Sequence, residues 1–305
     1  SDPAGKTVEE MLGTDSSLEP IYFDGKPYVL SPDVSSYLFI GVDKPGEVRQ
    51  EEGFNVGGQA DVLLLAVVDD AAKTYHILQL NRDTMAQIRV LAMDGTPAGS
   101  FTGQLALSHF YGSGFEDSCE NTVWAVSRYL YNTAIDGYIA LQMEAIPVLN
   151  DWAEGVTVTV QDDFSAVDPS LKQGETITLN GQQAYNFIRA RQNVEDQSNL
   201  NRMARHRQYL NGLTRQLQAK LSQNASSMAE LYQMLTPYMV TDMGSGTITE
   251  LAERCRSYAD GGTLAIQGEA VAGEEFMEFY TDEQDLRKTV IHLFYTEYNQ
   301  TEQGE

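Results

Sequence analysis

At 305 residues the chain is long enough for one large domain or two small ones, and its 42% apolar content supports a sizeable core. Its 44 acidic residues against 20 basic ones leave a net charge of −24. That charge argues against nucleic acid, whose binding is driven by cationic contacts to phosphate, and against anionic lipid headgroups. Any phosphate-bearing ligand must therefore be gripped locally.

Residues 1–34 are polar and dotted with Pro and Gly, and are expected to form an entry arm with one edge strand at 28–30. The chain does not begin with Met, and the expectation is that this arm follows a removed N-terminal membrane anchor. No apolar run approaches the roughly 20 residues needed to cross a bilayer. YLFIGV (37–42) predicts a buried strand ending at a turn, and 44–60, rich in Gly and Glu, a mobile loop. DVLLLAVV (61–68) and YHILQL (75–80) predict a hairpin of two buried strands that runs into Asn81-Arg82-Asp83-Thr84. QIRVLA (87–92) predicts a weaker strand, followed by a Gly/Pro loop to about 103 and a short helix at 104–111.

Residues 117–131 predict an amphipathic helix capped by Asp117 or Ser118. A strand is expected at 137–141, a helix at 143–151 and a strand at 156–160, followed by loop at 166–180. A helix at 181–191 precedes a short loop, 192–198, and a long helix at 199–222 capped by Ser198 or Asn199. The long helix carries an apolar stripe of Leu200, Met203, Leu210, Leu213, Leu217 and Leu221, with Arg202, Arg205, His206 and Tyr209 on a neighbouring face. The segment 226–305 adds helices near 226–235 and 247–258, strands near 264–268 and 275–280, and a last helix at 283–295 capped by Asp282. With no linker and no repeat, 35–305 is expected to be one α/β domain, its sheet covered by helices, with 226–305 as a C-terminal extension. The cysteines, Cys119 and Cys255, match no metal spacing and leave two readings open, one disulfide or two unrelated thiols.

Between Asn186 and Gln208 lie Arg189, Arg191, Arg202, Arg205 and Arg207, with only Glu195 and Asp196 as acids. A cationic cluster in so acidic a chain is either a solvated, salt-bridged helix pair or a grip for phosphate, since guanidinium N–H groups fork to paired oxygens. Three further pieces fall at strand ends: Asp43, Asp61 and Arg82-Asp83. Carboxylates are hard oxygen ligands suited to Mg²⁺, and arginines beside such a metal clamp the remaining phosphate oxygens. The chemistry of this set is that of a diphosphate site.

Over roughly residues 36–215 the chain resembles the LytR-CpsA-Psr family of cell-envelope proteins. The resemblance rests on GVD (41–43), ADVLLLAVVDDAAKTYHILQLNRDT (60–84), IDGYIALQMEAIPVLNDWAEGVTVTV (135–160), LNGQQAYNFIRARQ (179–192) and NLNRMARHRQYL (199–210). It implies an αβα sandwich around a central mixed sheet, anchored at the outer face of the cell membrane. It also implies transfer of a glycopolymer from a polyprenyl diphosphate carrier to peptidoglycan. Carried onto these positions, Asp43 and Asp61 would hold Mg²⁺. Arg82, Arg189, Arg191 and Arg202 would grip the diphosphate, with Arg205 and His206 beside them. Asp83 would orient Arg82 or the acceptor hydroxyl and is the candidate general base, and the polyprenyl tail would lie in an apolar tunnel between sheet and helices. Four positions depart from the pattern: Gln59 where Arg is frequent, Gln104 where Lys is frequent, Asn199 where Asp is usual and His206 where Gln is usual. A protonated His206 would return part of the lost cationic charge. The competing reading is a non-catalytic carrier or sensor of polyprenyl diphosphate lipids, which the replaced cations favour. DNA contact is disfavoured by charge and by the lack of a recognition helix.

Overall fold

The apolar run at 37–42 becomes the interior of a six-stranded sheet whose strand ends carry the charged residues singled out above. The computed structural model describes residues 20–191 and 199–298. A hairpin of β1 (Ile21–Phe23) and β2 (Lys26–Leu30) leads into β3 (Val34–Val42), β4 (Ala60–Asp69) and β5 (Thr74–Leu80). A second hairpin, β6 (Met85–Leu91) with β7 (Pro97–Gln104), precedes helices α1 (Leu107–Phe110) and α2 (Glu116–Tyr129). Then come β8 (Gly137–Leu141), α3 (Ala145–Trp152), β9 (Val156–Thr159), β10 (Thr176–Leu179) and α4 (Gly181–Arg189). The long helix α5 (Leu200–Gln223) is followed by α6 (Ser227–Leu235), β11 (Met239–Thr241), α7 (Ser245–Arg256) and β12 (Ala259–Ala265). A third hairpin, β13 (Gly268–Ala272) with β14 (Met277–Thr281), precedes α8 (Glu283–Phe294) and β15 (Tyr295–Glu297), which returns to pair with β2.

The central sheet runs β11-β8-β3-β4-β5-β12. The β3–β4, β4–β5 and β11–β8 pairs are antiparallel, and β3–β8 and β12–β5 are parallel, so the sheet is mixed. Because side chains alternate across a strand, Leu38, Ile40, Leu63, Leu65 and Leu78 face one side, against Val126 of α2, Leu130 just after it, and Leu286 and Val290 of α8. Phe39, Val62, Leu64 and Ile77 face the other, toward α3 and α5. The result is helices on both faces of a mixed sheet.

One irregularity aims the site. The β3–β4 register slips between Gly41 and Val42. A Cβ on Gly41 would lie 2.8 Å from the Val62 side chain, so only glycine lets the strands approach this closely before they part. Beyond the slip, Asp43 N–H donates to Gln59 O (2.9 Å), which sets Asp43 beside the start of β4.

Several elements differ from the sequence reading. The Gly/Pro stretch expected as loop to 103 contains β7, paired along its length with β6, and the expected short helix shrinks to Leu107–Phe110. Thr176–Leu179, expected as loop, pairs with Val156–Thr159. Asp117 and Ser118 do not cap α2, which begins at Glu116; they reach back and accept from the N–H groups of Ser113 and Gly114 (2.9 Å each). Asn199 makes no capping bond. Asp282 does cap α8, accepting from Gln284 N–H (2.9 Å) and Asp285 N–H (3.2 Å). Both cysteines are free: Cys119 is buried with Sγ 3.7 Å from His109 Nε2, and Cys255 is half-buried on α7. The loop 192–198, with the proposed cap Ser198, and most of the entry arm lie outside the described residues.

Candidate functional site

Asp61 is the centre of the site. It is the second residue of β4 and only 3% exposed, and it is ringed by guanidinium groups. Arg82 Nε lies 3.0 Å and Arg191 Nη2 2.6 Å from Asp61 Oδ1, while Arg202 Nη2 lies 2.6 Å from Oδ2. Burial on its own would raise the Asp61 carboxyl, but Arg202, Arg82 and Arg191 together hold it well below the ordinary carboxylate range. The three arginines come from the turn after β5, the end of α4 and the first turn of α5, so one carboxylate ties three elements together.

Asp43, at the end of β3, takes Arg189 Nη2 at 3.0 Å on Oδ1 and Arg191 Nη2 at 3.8 Å on Oδ2. Arg191 thus bridges Asp43 and Asp61. Arg189 is further fixed by its Nη1–H donating to Tyr185 OH (2.7 Å), one helical turn earlier. Sequence reasoning missed Tyr185, although its i, i+4 spacing to Arg189 is a readable signal. Arg82 also donates from Nη2 to Gln59 Oε1 and lies 3.7 Å from Asp83 Oδ1. Asp83 is buried, and burial raises its carboxyl despite the nearby Arg82, Arg191 and Arg202. Its Oδ1 accepts from Gln104 Nε2–H (3.0 Å). Asn199 accepts from Arg202 Nη1–H at 3.2 Å.

Asp43, Asp61, Arg82, Asp83, Arg189, Arg191 and Arg202 therefore meet. Four guanidiniums against three carboxylates give the cluster an excess positive charge inside an acidic protein. Two predicted residues bond elsewhere, although His206 lines a cavity that Asp61, Arg189 and Arg202 also line. Arg205 is buried and turned toward β9 and the end of α4: it donates to Ala190 O, pairs with Asp162 (3.4 Å) and lies over the Phe164 ring. Burial brings its guanidinium down to about 10. His206 Nε2 is 2.9 Å from Ile188 O, and since a carbonyl only accepts, this nitrogen carries the proton. Burial, reinforced by Arg202, lowers His206 to about 4. That shift favours the neutral imidazole, so the structure gives no support to His206 restoring a lost cation. Arg207, in the same window, donates to Gln79 of β5 (2.8 Å).

Beside the cluster lies a cavity of about 290 Å³ between the sheet and helices α3 and α5. Its walls are apolar, with Phe39, Leu64, Leu141, Leu149, Leu210 and Leu213 among them, and Asp61, Arg189 and Arg202 form part of its lining. A charged grip thus opens onto an apolar chamber.

Asp43 and Asp61 lie close enough to share one cation, and Arg191 Nη2 fills that position, 3.8 Å from Asp43 Oδ2 and 2.6 Å from Asp61 Oδ1; Mg²⁺, which takes one or two carboxylates with water and phosphate, would have to displace it. No group of three or more His, Cys, Asp or Glu side chains that could hold a metal by itself occurs among the described residues. No helix among them is long and apolar enough to cross a membrane.

The polyisoprenyl-teichoic acid–peptidoglycan teichoic acid transferase TagU of Oceanobacillus iheyensis is 28% identical over 181 residues, 58% of this chain and 50% of TagU. TagV of Bacillus subtilis, which carries the same transferase name, is 29% identical over 186 residues, 58% of this chain and 42% of TagV. The chain thus spans about half the length of the curated relatives it matches. The crystal structure of B. subtilis TagV superposes with a TM-score of 0.64 at 22% identity, covering 87% of this chain and 97% of that one, and shares its fold. The model of the LytR_cpsA_psr family matches residues 6–293, and the chain belongs to that family.

Proposed function

We propose that the protein is a phosphotransferase that moves a glycopolymer from a polyprenyl diphosphate carrier to peptidoglycan, outside the cell and next to the membrane. The observation that carries this reading is the junction of the arginine cluster with the apolar cavity. A diphosphate needs paired cationic donors and a polyprenyl chain needs a dry apolar wall; the two requirements meet at Arg189 and Arg202, which belong to both. The names of TagU and TagV support the same class of substrate and acceptor.

In this reading Arg82, Arg189, Arg191 and Arg202 exchange part of their carboxylate contacts for diphosphate oxygens and neutralise charge on the leaving group. Asp43 and Asp61 would hold Mg²⁺, which when bound supplies further neutralisation of the diphosphate. The acceptor's hydroxyl oxygen attacks the phosphorus that carries the sugar. The bond from that phosphorus to the bridging oxygen breaks, and polyprenyl phosphate departs with the electron pair. Asp83, whose burial makes it more basic than an exposed carboxylate, takes the hydroxyl proton. Arg205 and His206 keep the end of α4 against α5. A membrane anchor, which the family resemblance implies, would keep the site at the height of its lipid substrate.

The test is release of polyprenyl phosphate from a lipid-diphosphate-linked sugar, with and without Mg²⁺. Metal-dependent release that Arg189→Ala and Asp61→Ala each abolish is the expected result. Tight lipid binding without release would replace this reading with that of a carrier, for which Gln59 and Gln104 in place of cations supply the reason.

A further inference from the structure

The C-terminal hairpin β13–β14 lies beyond the 36–215 stretch that carries the sequence resemblance, yet it packs directly on Asp83. Phe279 N–H donates to Asp83 O (2.9 Å), and Thr84 bridges to Phe279 in parallel register. The hairpin also holds Gln104, at the end of β7. Gln104 Nε2 donates one N–H to Met277 O (2.7 Å) and the other to Asp83 Oδ1 (3.0 Å). Gln104 is 5% exposed, and both of its N–H groups are committed, so it has no donor left for a phosphate. Glu278, the hairpin's acid next to Met277, accepts from Tyr280 OH and adds no partner to Asp83.

We propose that Gln104 is a positioning residue and that the C-terminal hairpin is its support: the Met277 carbonyl fixes the amide, and the amide fixes Asp83 Oδ1. This rests on the transferase reading above and deepens it. The Gln104 bond and the Arg82 approach both fall on Oδ1, which turns Oδ2 to the acceptor hydroxyl. A neutral donor orients the carboxylate without adding the full positive charge that would blunt its basicity. The departure from lysine at this position thus converts a cationic contact into a relay from the hairpin to the carboxylate.

Three variants test this in the release assay. Gln104→Met keeps the volume and removes both bonds; kcat is expected to fall roughly tenfold, with KM for the lipid donor within about twofold. Gln104→Glu places an acceptor against two acceptors, and kcat should fall further than in Gln104→Met. Gly268→Ala acts from outside the site. A Cβ there would lie 2.4 Å from Tyr280 O and 2.6 Å from the Phe279 ring, so it shifts the hairpin and should lower kcat with KM again unchanged. Melting temperatures of all three accompany the kinetics. A folded Gln104→Met with wild-type kcat, or a loss carried by KM, overturns the role of Gln104; wild-type kcat in a folded Gly268→Ala overturns that of the hairpin. A wild-type chain that releases no polyprenyl phosphate overturns the transferase reading itself, a different outcome from either.

Discussion

Asp61 shows what it takes to keep a charge buried. Taking a carboxylate out of water is expensive, and only close, well-aligned partners return the cost. Here three guanidiniums lie at 2.6–3.0 Å. Asp61→Asn leaves Arg82 and Arg202 buried without their anion and is expected to destabilise the fold by about 3–5 kcal/mol, measured by urea denaturation. Because the folded carboxyl sits below its unfolded value, its contribution is fully present above about pH 4 and is lost as pH falls through the folded value. The buried histidines act at higher pH. His109 and His206 are each lowered by burial to about 4, against about 6.5 when unfolded. The unfolded chain therefore binds more protons between these values, and stability drops as pH falls from about 6.5 to 4, by roughly 3 kcal/mol at most per histidine. His206→Gln, which can still donate to Ile188 O, should remove its share of that drop; an unchanged pH profile of urea midpoints would contradict the assignment.

At the scale of elements, α5 decides the site, and it is where hydrophobic periodicity misleads. The stripe of Leu200, Met203, Leu210, Leu213, Leu217 and Leu221 marks the expected inner face, yet Leu200 is 44% exposed while Arg202, Arg205, His206 and Tyr209 are buried. Periodicity registers apolar burial only; it cannot see that Asp61, Asp162 and two backbone carbonyls await the polar face. Leu210 and Leu213 instead line the cavity. Leu213→Trp should fill part of that space and weaken binding of a long prenyl diphosphate tenfold or more, while leaving inorganic pyrophosphate affinity unchanged in calorimetry. The strands missed in the sequence have a similar cause. PAGSFTGQ, with two glycines and a proline, has little intrinsic strand preference, and only its partner β6 makes it β7. TITL is too short to announce itself outside the β9 pairing. By contrast YLFIGV, DVLLLAVV and YHILQL were legible because buried strands read as continuous apolar runs. That Asp43, Asp61, Arg82 and the later arginines belong together is suggested by their chemistry at strand ends, but the pairing of each arginine with its carboxylate is not legible, since no local rule links strand ends to residues more than a hundred positions on.

At the scale of the whole molecule, the last quarter of the chain finishes what the first three quarters begin. Segment 226–298 supplies both edge strands of the central sheet, β11 on β8 and β12 on β5, and the hairpin that holds Asp83. Ending the chain at residue 225 exposes two sheet edges, and such a fragment is expected to aggregate, seen as loss of the monomer peak in size-exclusion chromatography. The charge distribution works at the same scale. A net charge of −24 repels polyanions in general, while four arginines facing three aspartates concentrate positive charge in one place, the place the proposed function assigns to a diphosphate. In the proposed function this charged cluster and the apolar cavity form one amphiphile site. It is tested most directly by calorimetric affinities for pyrophosphate, a prenyl alcohol and the matching prenyl diphosphate. Charge-assisted contacts of roughly 1.5–3 kcal/mol each and about 0.8 kcal/mol per buried methylene add within one site. The prenyl diphosphate is therefore expected to bind at least a hundredfold tighter than either half. A prenyl diphosphate that binds no tighter than pyrophosphate would show that the cavity and the arginine cluster are separate features and would contradict a single amphiphile site.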